Sequence, residues 1–315
     1  MMYEFIVFIH LVSSKKLCHK YLIRKEIRDM TNDEWIKYKN AVMKLREEGV
    51  FDELSQIHNT VAAYAHNHPR FLPWHRMFLL YFESMLQFFS NDQSISVPYW
   101  DWTIDCEDPS KSIIFDEKYW GGKICFEVGY PEKHCLARNE NDIDPFYSMA
   151  QINKIINRKM KYDEFRDILE LVPHAIVHFN VGGKKGDMAM MYSTNDPIFW
   201  HHHSFIDYLW HKKQAKNLKS YENNGNETLF PFDKQIKDVL DINDCCIKYK
   251  EYKPFKINSK GEGKASRLSE EFIKRHGYDS KKVRMYEDYL ISETKKRNII
   301  YRFIKYIWDK IFFWI

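Results

Sequence analysis

Apolar and polar positions alternate along this chain with the period of helices more often than of strands. Residues from Arg24 to about Gly49 read as a helix, with Thr31 or Asn32 as cap, Glu34 in the first turn and Gly49 as the stop. Phe51–Tyr64 predicts a second helix, which ends at the loop Asn67-His68-Pro69-Arg70. Pro73-Trp74-His75 then opens a strongly apolar helix through about Phe89, with Pro73 near its first turn. Residues 91–150 break the pattern at Pro98, Pro109, Gly121-Gly122, Pro131 and Pro145. An irregular stretch of this length in a compact domain reads as a functional covering loop. Helical spacing resumes over Met149–Arg158, Asp163–Leu171 and His174–Phe179, and after the Gly182-Gly183 turn from about Asp196 through Lys213. Residues 215–260 are polar and loop-rich, which marks a boundary to a C-terminal appendage. The expected fold class is mainly α.

Length and composition refine this only a little. The 315 residues fit one large domain or a domain with appendages. Lys and Arg are scattered, with their densest run near Lys281–Arg297, and the net charge is only +4. That describes a solvated face, so nucleic acid is not an expected partner. The six cysteines (18, 106, 125, 135, 245 and 246) form no CxxC pair, which argues against a zinc ribbon or a dithiol redox site. Their even number suits disulfides in a secretory compartment, with the pairing left open. The start MMYEFIVFIHLVSSKK has the apolar stretch and small residues of a signal peptide, although it lacks a basic start and contains Glu4 and His10. With the glycosylation sequon Asn226-Glu227-Thr228, these features point to secretion or the lumen of the secretory pathway. The tail NIIYRFIKYIWDKIFFWI is amphipathic, but Arg302, Lys305, Asp309 and Lys310 argue against a transmembrane span. Docking on the protein's own domain is expected of it, with an interfacial membrane anchor as the alternative.

Histidine changes the picture most. Nine of the 14 fall in two clusters, at 58, 66, 68, 75 and at 174, 178, 201, 202, 203. His174 and His178 stand four residues apart, on one face of a helical turn, a common way to offer two imidazoles to one metal. Ala175 stands where a zinc protease needs Glu, so that reading fails. In the triplet His201-His202-His203, adjacent helical residues point about 100° apart and cannot all face one ion. Asp207 shares the face of His203, whereas His202 has only Ile206 at the same spacing, so His203 is the favoured ligand. The inward Glu residues of a ferritin-like site are missing. Imidazole sets with few carboxylates suit copper or zinc rather than magnesium or calcium, and copper best; ligand type alone leaves zinc open.

The segment His66-Asn-His-Pro-Arg-Phe-Leu-Pro-Trp-His75-Arg76, with Leu79 and Glu83, resembles the copper-A signature of tyrosinases, catechol oxidases and molluscan-type haemocyanins. Asp196-Pro-Ile-Phe-Trp200, with His203 and Asp207, resembles their copper-B signature. Pro98-Tyr-Trp-Asp-Trp102 looks like the family's PYWDW stretch, and His174, His178 and Val181-Gly182-Gly183 match the first copper-B pair and its glycine turn. The resemblance runs from about Arg24 to Tyr252. It implies an antiparallel four-helix bundle holding a dinuclear copper site under long covering loops, with a C-terminal helical extension. With the apolar start and the polar break it gives the expected domain limits: a signal peptide or leader at 1–20, a dicopper domain at 21–258 and an extension at 259–315, expected as plug or anchor.

The ligands implied by the resemblance are His58, His66 and His75 for copper A and His174, His178 and His203 for copper B, with Arg76 and Asp207 as a bracing ion pair. His68 reads as a loop histidine, and the roles of His201 and His202 stay open. Two coppers with dioxygen as co-substrate imply oxidation of small phenols or catechols to o-quinones. Glu170, four residues before His174, matches the family's water-positioning Glu, but Ala175 replaces the Asn that assists it. Diphenol oxidation is therefore expected to exceed monophenol hydroxylation. Phe179 is expected to wall the substrate entrance. Tyr64 excludes the thioether that a Cys two residues before a ligand histidine makes in relatives. The alternatives are a haemocyanin-like dioxygen carrier, a latent proenzyme with a blocked site, and a copper-poor structural relative, against which the full set of six histidines argues. Oligomeric state is left open.

Overall fold

The computed structural model describes residues 18–122, 125–139, 143–216, 221, 225–254 and 265–291. The tail from residue 298 onward and most of the leader lie outside them. Helix α1, Asn32–Glu47, begins in a capping box: Thr31 accepts from the Glu34 backbone N–H, and Glu34 accepts from that of Thr31. Helices α2 (Val50–Thr60) and α3 (Ala62–Ala65) follow, and Asn67, at φ 54°, turns the chain into α4, Phe71–Ser90. Asn tolerates this left-handed conformation better than most residues. After the irregular segment come α5 (Met149–Asn157), α6 (Tyr162–Leu169), α7 (Ala175–Gly182) and α8 (Pro197–Gln214). Helices α2, α4, α7 and α8 surround the histidines and form the bundle's core. Every residue of α8 from Pro197 to Trp210 is buried, as expected for a helix that is mostly apolar on all sides.

Three local expectations are corrected. Arg24–Asp29 is not helical: strand β1, Leu22–Arg24, is followed by a 3-10 turn at Ile27–Asp29. Remote pairing overrides the helical pattern there. Lys25 and Ile27 exchange backbone hydrogen bonds with Tyr99, and β1 pairs in parallel with a strand at Ile247–Tyr249. The pieces expected at 163–171 and 174–179 form one run, in which a π turn at Glu170–His174 links α6 to α7. Pro173 lies in that turn; it has no N–H to give to a regular helix. Segment 91–150 is irregular as expected, but contains a small hairpin of β2, Glu127–Val128, and β3, His134–Cys135. The Ile247–Tyr249 strand is β4 in this order.

Two disulfides close these connections, Cys125–Cys135 in the hairpin and Cys18–Cys246 beside β1 and β4. The second brings Cys18, counted with the leader above, into the folded unit. Helix α9, Glu270–Arg275, and the helical residues 280–291 pack back on the bundle. Phe272, Ile273, Val283 and Leu290 are buried there. Among the described residues no helix is long and apolar enough to cross a membrane.

Candidate metal centre

The two histidine clusters meet in the core. His58 comes from α2, His66 from the end of α3, His75 from α4, His174 and His178 from the π turn and α7, and His202 and His203 from α8. The ring nitrogens of His58, His66 and His75 lie within 4.8 Å of one another, as do those of His174, His178, His202 and His203. The two sets abut, with the rings of His75 and His203 stacked at 4.3 Å. His68 joins neither set; its ring accepts from the Arg70 backbone N–H.

Backbone carbonyls orient these rings. Nδ1 of His58 donates to Met191 O (2.5 Å), that of His66 to Ala62 O (3.1 Å) and that of His75 to Phe71 O (2.8 Å). His174 and His178 do the same with Glu170 O (3.0 Å) and Met188 O (2.7 Å). A carbonyl only accepts, so each proton sits on Nδ1 and each Nε2 keeps its lone pair. Nε2 of His58 nevertheless lies 3.3 Å from Nε2 of His75, and two acceptors cannot bond to each other. Two nitrogens that bind one tetrahedral ion at ~2.0–2.1 Å sit about 3.3 Å apart. His178 and His203 repeat the spacing at 3.2 Å, and His174 Nε2 is buried without a hydrogen-bond partner. The donor set fits metal ions. Burial lowers the histidine pKa values, to about 4 for His58, about 3 for His178 and well below the usual range for His66, His75, His174, His202 and His203. Neutral rings are the form that binds metal.

His201, which the sequence left open, packs on the opposite side. Its Nε2 accepts from the Trp120 indole N–H (2.7 Å), and its Nδ1 donates to Pro98 O (3.0 Å). It anchors the Pro98–Trp102 stretch to α8 and has no free nitrogen for a metal.

Asp207 and Arg76 form part of a buried charge cluster. Arg76 Nε donates to Asp207 Oδ1 (2.6 Å), while Arg24 bridges Asp207 (3.4 Å) and both oxygens of Glu83 (3.2 Å each). The Tyr249 hydroxyl donates to Asp207 Oδ2 (2.6 Å). Arg24 and Tyr249 are the members that sequence reasoning missed, because their contacts lie 183 and 42 residues away. The cluster ties α4, α8, β1 and β4 together one helical turn beyond His203.

Glu170 is fully buried, and burial pushes its carboxyl up to about 7 against the pull of Arg166. It accepts from the Asn67 backbone N–H (2.7 Å) and from Arg166 (2.9 Å), beneath the corner that carries His66. Ala175 lines the cavity between the two histidine sets. Phe179 does not line it, and packs instead against Phe272 of α9, with ring centres 5.2 Å apart. Phe272, His276 and Tyr278 line this cavity together with His58, His66, His174 and His178. What remains is about 20 Å³, enough for a water and far too small for a phenol ring.

A helical bundle with two facing sets of imidazoles marks a protein built for a dinuclear metal site. The family model described as the common central domain of tyrosinase matches residues 48–130 and 122–216, and the chain belongs to the tyrosinase family. It is similar to the tyrosinase ustQ of Aspergillus flavus, 28% identical over 262 residues that cover 67% of this chain and 72% of the relative. Its fold is similar to that of a polyphenol oxidase from Thermothelomyces thermophila (TM-score 0.58, 18% identity, 73% of this chain and 89% of the other). It also resembles a functional unit of octopus haemocyanin (TM-score 0.55, 17% identity, 76% and 69%). Family and clusters together indicate a dinuclear copper site.

Proposed function

We propose that this chain is a copper oxidase that converts o-diphenols to o-quinones with dioxygen as co-substrate, held latent by its C-terminal segment. Copper A would rest on His58, His66 and His75, and copper B on His174, His178 and His203. When bound, the pair supplies dioxygen binding and the two-electron oxidation of a catechol. The observation that carries the reading is the meeting of two carbonyl-oriented imidazole sets at one cavity.

The chain's own residues orient, shield and select. The five backbone carbonyls fix the tautomers, and Phe71 and Phe199 pack against rings of both sets and keep water out. Ala175 offers no amide beside His174, and the Glu170 carboxylate is already engaged by Asn67 and Arg166. Both features favour diphenols, because a monophenol must first lose its phenolic proton to a nearby base. Two disulfides support a secretory route.

The narrow cavity lined by the C-terminal segment supports latency. A protease site placed in 255–264, cleavage, and removal of the released segment should raise catechol oxidation by about tenfold or more, since only the open fraction turns over. An unchanged rate would overturn latency. Reversible dioxygen binding by the cleaved protein without catechol oxidation would instead favour a haemocyanin-like carrier, the second reading, which the covered cavity also suits.

A further inference from the structure

We propose that Asp187, with His134 as its charged partner, is a positioning residue for both imidazole sets: it holds the one loop whose carbonyls orient His58 in the first set and His178 in the second. Where it concerns metal, this rests on the dicopper reading above. The five oriented rings divide into two kinds. His66, His75 and His174 each donate to the carbonyl four residues earlier, so local geometry places their acceptors. His58 and His178 reach instead to Met191 O (2.5 Å) and Met188 O (2.7 Å), 133 and 10 residues away in the chain. Both carbonyls belong to the connection between α7 and α8, which carries a 3-10 turn at Asp187–Ala189. One short loop therefore orients a ring in each set.

Asp187 is buried, and three donors converge on its carboxylate. Oδ1 accepts from His134 Nε2–H (2.9 Å) and from the Asn195 side-chain amide (2.9 Å), and Oδ2 accepts from the Ala137 backbone N–H (2.9 Å). The Asp187 N–H returns a bond to Ala137 O (2.9 Å). His134 lies on β3, and its Nδ1 donates to Glu132 O (2.7 Å). A carbonyl and an ionised carboxylate only accept, so the ring carries two protons and a positive charge. Partial burial opposes that charge, yet the Glu132 carbonyl and Asp187 raise the His134 pKa above the ordinary histidine value. A buried carboxylate needs such a partner. Asn195 passes the connection on: its Oδ1 accepts from Ser55 Oγ (2.6 Å), three residues before His58 on α2. The hairpin, the loop and the helix that carries His58 thus meet at one carboxylate. Without it three donors lose their acceptor and the loop loses its anchor, while the carbonyls that orient His66, His75 and His174 keep theirs.

The test is the tautomer of each ring in the metal-free full chain, read by nitrogen–proton NMR of the imidazoles, for the natural protein, Asp187→Ala and His134→Ala. The preference for the Nδ1–H form should fall by about fivefold at His58 and His178, which corresponds to one net hydrogen bond, and by less than about twofold at His66, His75 and His174. Thermal midpoints show which variants fold. His134 is 29% exposed, so its truncation spares the core and decides the matter if Asp187→Ala does not fold. Cu(I) affinity, measured by competition with a coloured chelator, should fall by about tenfold for both coppers together. Unchanged tautomers in a folded variant, or an equal loss at all five rings, would overturn the role of Asp187 and leave the oxidase reading intact. So would unchanged copper affinity, or a fall for one copper alone. Failure of the natural protein to bind two coppers would overturn the oxidase reading, whatever the tautomers show.

Discussion

Asp207→Asn offers a direct test of how the two metal-bearing helices are held. Arg24 and Arg76 have fully buried side chains, and the anions that balance them are Glu83 and Asp207, each 3% exposed. Two cations meet two anions, so removing one carboxylate leaves a net positive charge in a low-dielectric core. Asparagine keeps the shape, but it turns an amide toward donors that now point at the Asp207 oxygens: Arg76 Nε, Arg24 and the Tyr249 hydroxyl. Breaking a buried pair in this way costs about 3–5 kcal/mol. Exposure decides the contrast: the Lys133–Glu127 pair is 74% and 54% exposed. Glu127→Gln should therefore change stability by less than about 0.5 kcal/mol. Urea unfolding of the metal-free proteins, followed by tryptophan fluorescence at constant m, measures both. A loss below about 1 kcal/mol for Asp207→Asn, or one equal to that of Glu127→Gln, would refute the reasoning.

Three further predictions concern the histidines and the end of α5. Eight buried histidines have lowered pKa values, His201 among them at about 4, so the unfolded chain takes up protons that the folded chain refuses. Their stabilising effect is present above about pH 6.5 and is lost as pH falls, at ~1.4 kcal/mol per pH unit for each proton. Glu26 and Glu170, raised to about 7 by burial, act in the opposite sense: their contribution is present below the usual carboxyl range and lost as pH rises through 7. The histidines outnumber them, so the metal-free protein should melt at sharply lower temperature between pH 6.5 and 5; a flat profile would contradict this. His203→Ala should leave one copper per chain and His202→Ala two, by metal analysis after dialysis; the reverse result would reassign the ligand. Lys213→Met should cost about 1–3 kcal/mol in urea unfolding, because Nζ donates to Ile155 O, Ile156 O and Arg158 O at the end of α5. No loss would refute that role.

The helices were legible in the sequence because their signals are local. Thr31 with Glu34, and Asp196 with Pro197, mark helix starts within a few residues. The pairing of His174 with His178 and of His203 with Asp207 was legible for the same reason, since helical spacing puts each pair on one face. What stayed hidden is non-local. Strand β1 exists because residues 247–249 lie beside it, and no pattern within Leu22–Arg24 signals that partner. The cavity is narrowed by Phe272, His276 and Tyr278, which lie nearly 100 residues beyond His178. The sequence pointed to a C-terminal extension as plug or anchor, but not to the side chains that line the cavity. The role of His201 stayed open, and only the positions of Trp120 and Pro98 show both its nitrogens engaged.

The central claim is a dicopper phenol oxidase closed by its own C-terminal segment. The most direct measurement is catechol oxidation by the copper-loaded protein before and after removal of that segment, with copper counted on the same samples. The account predicts two coppers per chain in both samples, little turnover before removal, and o-quinone formation with oxygen uptake after it. Two coppers per chain with no catechol oxidation in either sample would contradict it.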